Sequence, residues 1–335
     1  MYPQLHDENK LLLIDRFKQN YLPATYVPQE YLPLIIPYAG LYYEQDEDHD
    51  MLSQHFSLGP FSLWVHDIFA RKDIMLCAYT PFHLWALHFM YDDSLRAEKL
   101  FKTNEFVLDE RECNLFNLYA EIHRVPMPAD KKILSFHINI LPRALAQLVQ
   151  QYPALCYLTN KKTDKTSGVI NQQPYKINAV CNMLIQNILS CRYVENQAHF
   201  YLHRCCIDLF LNFAQQDAAA PNPFLLSNQT STELFNNIFS YLVENSHIAH
   251  NITELANMFN MHGAKLSQGF RQHFSVGITP FIKMNRMMFL YNHLMQNSFK
   301  LSLLAEITGY RNIQEMINDV DGYYGCKVIV MRREM

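Results

Sequence analysis

The sequence predicts an α+β protein. Its N-terminal part reads as β-rich with flanking helices, and its C-terminal part as all-α, with two helix–turn–helix units joined by a long helix. Three observations carry this expectation. Between Asn251 and Gly325 apolar residues recur three and four positions apart, in two copies whose Leu-Ala pairs, Leu255-Ala256 and Leu304-Ala305, start 49 residues apart. Such spacing is the buried face of short helices. Between Phe56 and Leu141, runs rich in aromatic and branched residues alternate with turn signals such as Gly59-Pro60 and Arg71-Lys72-Asp73, as strands do. At Pro142 this gives way to wide helical stripes,.

A chain of 335 residues, 49% hydrophobic, has the length of two or three domains and enough apolar material for a sizeable core. No run approaches the roughly 18 apolar residues of a membrane span. The polar start Met1-Tyr2-Pro3-Gln4-Leu5-His6-Asp7 is no signal peptide,, so the expected compartment is the cytoplasm, with no membrane partner. The eight cysteines, Cys77, Cys113, Cys156, Cys181, Cys191, Cys205, Cys206 and Cys326, include no Cys-x-x-Cys pair. Adjacent Cys205-Cys206 suits neither a disulfide framework nor a zinc cage, and all eight read as reduced thiols, mostly in the core. With nine glycines in all, no Gly-rich phosphate loop, no Gly-x-Ser-x-Gly elbow and no His-Glu-x-x-His, the chain is expected to be no enzyme and to need no cofactor.

In chain order, residues 1–40 read as an N-terminal arm, with a short helix over Asn9–Phe17 and then Pro23, Pro28, Pro33 and Pro37 breaking regular structure,. Residues 41–215 read as the β-rich domain with its helices. Strands are expected at 56–58, 62–69, 73–79, 82–91, 104–108, 116–122 and 133–141, enough for a small sandwich or barrel. A helix begins with Leu145, Leu148 and Val149 and ends at Gln150-Gln151-Tyr152-Pro153. Lys161–Gly168 is a polar loop. Two long helices follow, Ile177–Cys191 and Glu195–Phe213, whose stripes are wide enough to need more than each other for cover; packing between subunits of a homodimer would supply it. Residues 216–230 have linker composition, and 231–335 form the helical domain, opening with a helix over Thr232–Glu244.

His55, His66, His83, His88 and His137 fall in the β-rich part, and a barrel with several inward histidines can hold a divalent metal. The spacing argues otherwise. No His-x-His pair occurs, and His83 and His88, five apart, face opposite sides of a regular strand; core or surface roles are expected, and no metal site. The acidic run Asp46-Glu47-Asp48-His49-Asp50 is expected as a solvated loop.

The first helical unit reads Ile252–Met261, a turn, then Leu266, Phe270 and Phe274. The second reads Leu301, Leu304-Ala305, Ile307, Gly309-Tyr310, then Ile313, Met316 and Val320. From Thr279 to about Asn297 an uninterrupted helix, at about 1.5 Å per residue, would hold the units about 27 Å apart. That approaches the roughly 34 Å repeat of the DNA groove, so both second helices would enter successive major-groove segments on one face.

At these residues the chain resembles the DNA-binding domain of the AraC family of bacterial transcription regulators. Leu255-Ala256 through Met261, the helix with Leu266 and Phe270, Gly277-Ile278-Thr279-Pro280, Leu304-Ala305-x-x-x-Gly309-Tyr310 and Tyr323-Tyr324-Gly325 fall where that family's pattern puts them. The match covers roughly the last 85 residues. The resemblance implies double-stranded promoter DNA as partner, a cupin-like N-terminal sensor binding a small-molecule effector, dimerisation through the helices beside it, and RNA polymerase as a further partner. No specific motif upstream marks which residues would bind the effector.

On the first unit's second helix, His262, Gly263 and Ala264 stand at the start and Lys265, Gln268, Arg271 and Gln272 on the solvent face. Arg, Gln and Lys there are the donors that guanine, adenine and phosphates accept, and small Ala264 permits close approach. In the second unit Arg311, Asn312 and Gln314 are candidate contacts. Asp319, Asp321 and Gly322 stand where the family usually has basic residues, however, and carboxylates facing phosphates would be repelled. The ending Lys327-Val328-Ile329-Val330-Met331-Arg332-Arg333 departs from the family's as well. Residues 231–335 hold nine Lys+Arg against eight Asp+Glu, leaving 19 against 24 elsewhere, a small polarity for a nucleic-acid binder. The expected function is a DNA-binding regulator whose first unit does most of the reading. The alternative is a degenerate regulator acting through protein–protein contacts, and an enzyme with a helical appendage comes third.

Overall fold

A computed structural model of the chain describes residues 12–15, 26–101, 104–161, 165–218 and 229–332. Two compact units divide it. The first takes in Met1–Ile177, Cys181–Val194 and Cys205–Ala218, the second Asn178–Val180, Glu195–Arg204 and Ala219–Met335. The first is β-rich and the second all-helical, as the sequence predicts. No helix among the described residues is long and apolar enough to cross a membrane.

The first unit holds β1 (Leu12–Asp15), β2 (Gly40–Gln45), β3 (His49–Leu58), β4 (Phe61–Ala70), β5 (Ile74–Thr80), β6 (Leu84–Asp92), β7 (Leu95–Phe101), β8 (Asn104–Leu108), β9 (Glu112–Leu118), β10 (Glu121–Met127), β11 (Lys131–Ile140), β12 (Gly168–Val169) and β13 (Tyr175–Lys176). They form a large antiparallel sheet in the order β12-β9-β6-β11-β4-β3-β2, with β13 also on β9, a small sheet β1-β5-β10, and the hairpin β7-β8. Because both faces of the large sheet are covered, its central strands read as nearly continuous apolar runs. On one face Phe136, Ile138 and Ile140 are buried, and Phe61 stacks on Phe210 of a helix at 5.6 Å. On the other, Ile68, Leu84, Ala86, Met90, Phe116 and Ile133 join Leu76 and Val125 of the small sheet in one core.

Helices α1 (Pro142–Gln151), α2 (Cys156–Thr159), α3 (Ala179–Leu189) and α4 (Glu195–Ala218) follow. The stripe of α4 that called for more cover finds it in this chain, where Phe210 meets the sheet. Six cysteines are buried, while Cys156 is exposed and Cys326 partly so, and none is in a disulfide among the described residues.

Three expectations change. The helix over Asn9–Phe17 is replaced at Leu12–Asp15 by β1, which pairs with β5 from Leu12↔Ala78 to Asp15↔Met75; a lone short helix is marginal, while an open strand edge offers partners at once. The strand over 116–122 is instead the end of β9 and the start of β10, turning at Tyr119-Ala120 without Gly or Pro to mark it. The acidic run is not a solvated loop: Asp46, His49 and Asp50 are buried at the β2–β3 turn, where Asp46 Oδ1 accepts the backbone N–H of Asp48 (2.7 Å) and of His49 (3.0 Å). Within the stretch of linker composition, α4 continues through Ala218, and 219–228 lie outside the described residues, as do most of the arm's first 25.

The second unit comprises α5 (Gln229–Glu244), α6 (Ile252–Met258), α7 (Gly263–Phe274), α8 (Ile278–Met295), α9 (Leu301–Ile307), α10 (Ile313–Tyr324) and α11 (Val328–Met331), together with the first turns of α4. There Tyr291 Oη donates to the carbonyl of Gln197 at 2.6 Å, and the ring of Tyr201 lies 5.5 Å from that of Tyr291. Gly269 on α7 is required by packing, since a Cβ there would stand 2.1 Å from the ring of Phe235 on α5.

Candidate functional site

The two helix pairs of the second unit are one local structure made twice. α6 and α9 have 7 residues each, α7 and α10 have 12. Their turns are bonded alike. Phe259 N–H donates to Leu255, Asn260 to Asn257 and Met261 to Ala256; 49 positions on, Thr308 donates to Leu304, Gly309 to Glu306 and Tyr310 to Ala305. Both turns need one left-handed residue, Asn260 at φ 51° and Gly309 at φ 76°, as helix ends of this kind do. One extra residue in the second turn shifts the following helix to an offset of 50. Leu266, Phe270 and Phe274 thus correspond to Met316, Val320 and Tyr324, all buried.

The same offset compares the solvent faces. His262, Ala264, Lys265, Gln268, Arg271 and Gln272 are all exposed on or just before α7, displaying two cations and two amides along about two turns. Arg311, Asn312 and Gln314 are exposed at the start of α10. Asn312 is occupied as the helix cap, its Oδ1 accepting Glu315 N–H at 2.8 Å, and Gln314 Nε2 donates to Asn318 Oδ1 at 2.8 Å. The positions matching Lys265, Gln268, Arg271 and Gln272 are Glu315, Asn318, Asp321 and Gly322, so none of these four positions carries a cation.

Asp319 and Asp321 do not stand bare toward a phosphate. Asp319 accepts from Lys283 Nζ and from Tyr310 Oη, each at 2.6 Å, with Arg286 at 3.9 Å. Burial opposes its ionisation, but the bonds from Lys283 and Tyr310 outweigh that and hold its carboxyl below the ordinary range. Asp321 is buried; its Oδ1 accepts Val328 N–H at 2.9 Å, and Lys327 Nζ lies 3.1 Å from its Oδ2. Both carboxylates are tied into the fold, Asp319 across α8 and α10, Asp321 at the α10–α11 corner.

The first unit contains a cavity of about 150 Å³ between its large and small sheets. The register explains which polar groups reach it. His88 on β6 lies opposite His137 on β11, and Ser135, two residues before His137, lies opposite His66 on β4. The rings of His66 and His137 are 5.2 Å apart, those of His88 and His137 6.4 Å. Burial lowers the His66 pKa to about 3, helped by the charges of His88 and His55, and lowers that of His88 to about 4. His137 is pushed down too, by burial and then by its histidine neighbours. Ser53 Oγ and His66 Nδ1 are 2.7 Å apart, while His88 Nδ1 is buried with no hydrogen-bond partner among the described residues. His123 on β10 also lines the cavity, a residue the sequence reading passed over. His83 lies outside it, 2.7 Å from Asn117 Oδ1 and stacked on Tyr119, and His55 stacks on Trp64 at 4.3 Å.

Glu44, Asp46 and His49 stand close enough to share an ion. His49 Nδ1 is 3.1 Å from Asp46 and its Nε2 3.7 Å from Glu44, so the two carboxylates hold opposite edges of one imidazole ring.

No family model and no curated protein matches the sequence. Among solved structures, the chain is similar to ToxT from Vibrio cholerae (TM-score 0.31, 10% identity, over 82% of this chain and 100% of that one). It is similar to the AraC-like transcriptional activator CuxR (0.30, 11%, 78% and 89%). It is similar also to the C-terminal domain of the two-component response regulator yesN from Fusobacterium nucleatum (0.27, 20%, 31% and 100%). Likeness at these scores adds nothing to what the chain's own elements show.

Proposed function

We propose that the chain is a DNA-binding transcription regulator of the AraC type, whose second unit reads promoter DNA and whose first unit controls it. One observation carries the reading: the helix–turn–helix built twice, with the second helix of the first copy presenting His262, Ala264, Lys265, Gln268, Arg271 and Gln272 together on an exposed face. The 18-residue α8 between the copies spans about 27 Å, near the spacing of successive major grooves. In this reading Arg271 and Gln268 contact bases and Lys265 a phosphate, while α10 contributes Arg311, Asn312 and Gln314 with little charge. Two chains on one operator would raise the effective concentration of the weaker copies, which is why we place the regulator on DNA as a homodimer. The cavity of the first unit serves as the effector site, and its filling biases how the reading units are placed. The chain is no enzyme in this reading, and RNA polymerase is a partner at the promoter.

The test is binding to a promoter fragment from the gene's own locus. Arg271→Ala is expected to weaken binding by about tenfold or more, the worth of a good base contact. A second reading is favoured by Glu315 and Asp321 standing where the first copy has Lys265 and Arg271: a regulator that acts mainly through a protein partner. It is supported instead if the folded chain fails to bind DNA even at low salt.

A further inference from the structure

The cavity between the two sheets of the first unit defines the chemistry of what fills it. We propose that it takes an uncharged single-ring molecule carrying one hydroxyl group, of which phenol is the simplest. The inference deepens the reading of this cavity as the effector site and rests on it.

Four properties of the lining lead there. Its walls are apolar, with Ile68, Leu84, Met90, Phe116, Val125 and Ile133 among them, so most of the ligand's surface must be apolar as well. No Lys, Arg, Asp or Glu lines it among the described residues. A permanently charged ligand, carboxylate or amine, would leave water without gaining a counter-ion from these residues, which is strongly unfavourable. The size is that of one ring, since a dry cavity of about 150 Å³ in an engineered protein core holds benzene. Finally, the wall formed by the large sheet carries a polar cluster, where His66, His88 and His137 meet beside Ser135, and Thr80 and His123 add polar side chains from the small sheet.

The hydroxyl follows from His88. Its ring lines the cavity beside that of His137. In a neutral imidazole each nitrogen is either a donor or an acceptor, according to the tautomer. A hydroxyl both donates and accepts, and so satisfies it in either state. A methyl in the same place satisfies neither. A carboxylate could only accept, and it would bring a charge into the cavity.

Calorimetric titration of the full chain near neutral pH with phenol, toluene, benzoate and decanoate tests this. The expected result is that phenol binds while benzoate and decanoate do not at the same concentrations. His88→Leu should weaken phenol by about tenfold or more and leave toluene unchanged or tighter; toluene binding then reports that the cavity is intact. If His88→Leu does not fold, the discrimination of phenol from benzoate by the natural protein decides alone. Tighter binding of benzoate or decanoate than of phenol overturns the proposal, as does a natural protein that binds no phenol, or a folded His88→Leu that keeps its affinity for phenol. Promoter binding by ligand-free protein is measured separately, so failure of the regulator reading and failure of this inference give different results.

Discussion

Asp319 shows how far a single residue's meaning depends on its neighbours. By sequence it is a carboxylate on a helix meant to meet phosphates. In the fold Lys283, Tyr310 and Arg286 converge on it, and its charge is spent joining α10 to α8. Asp319→Asn should therefore destabilise the second unit by about 1–3 kcal/mol, the worth of hydrogen bonds to a charged group, and should not tighten DNA binding. Chemical denaturation and a DNA titration of the same variant check both halves. Had Asp319 repelled DNA, affinity would rise. The exposure of the nine candidate residues was legible because helical periodicity alone separates the faces of α7 and α10,. The roles of Asp319 and Asp321 were not, since their partners lie on α8, in the turn before α10 and beyond its end.

At the scale of elements, the helix–turn–helix repeat was readable from two Leu-Ala pairs, because local bonding within about ten residues builds each turn. The strand order was less so. β6-β11-β4 brings together strands far apart in the chain, and the neighbours His66, His88 and His137 come from three of them. No spacing within one strand could reveal that cluster. Glycines test the packing of the helices with opposite signs. Gly269→Ala drives a Cβ into the buried ring of Phe235 and should cost about 1–3 kcal/mol through overpacking. Gly322→Ala, on the exposed side of α10 with open space around it, should gain up to about 1 kcal/mol of helix propensity. Thermal unfolding of the two variants checks the signs; equal effects would mean that α5 and α7 do not pack this way.

For the whole molecule, the buried histidines give the first unit a pH dependence. An unfolded imidazole titrates near 6.5, whereas His88 in the fold does so at about 4 and His66 at about 3, both because burial disfavours their charged forms. Their folded pKa lies below the unfolded one, so the neutral ring's contribution is complete above pH 6.5 and is lost as pH falls from there toward 4 and 3. For His88 alone that is roughly 3 kcal/mol. Denaturation from neutral to mildly acid pH should show the loss, and His88→Leu, if folded, should flatten the slope. Asp319 loses its contribution only further down, as pH falls from near 4, because its folded pKa is depressed.

In the proposed function the second unit reads DNA, with the α7 face doing most of the work. Its cations on the two reading faces are few: Lys265 and Arg271 in the first copy, Arg311 in the second. The decisive measurement is the salt dependence of promoter binding for the natural chain and for Arg271→Ala. With Lys265 and Arg311 as the phosphate-neutralising groups, log K should fall against log salt with a slope of about −2 per bound chain. Arg271→Ala should keep that slope and relax the sequence preference, as the loss of a base contact does. A natural chain that shows no binding at low salt, or an Arg271→Ala chain with unchanged affinity, slope and preference, would overturn this function.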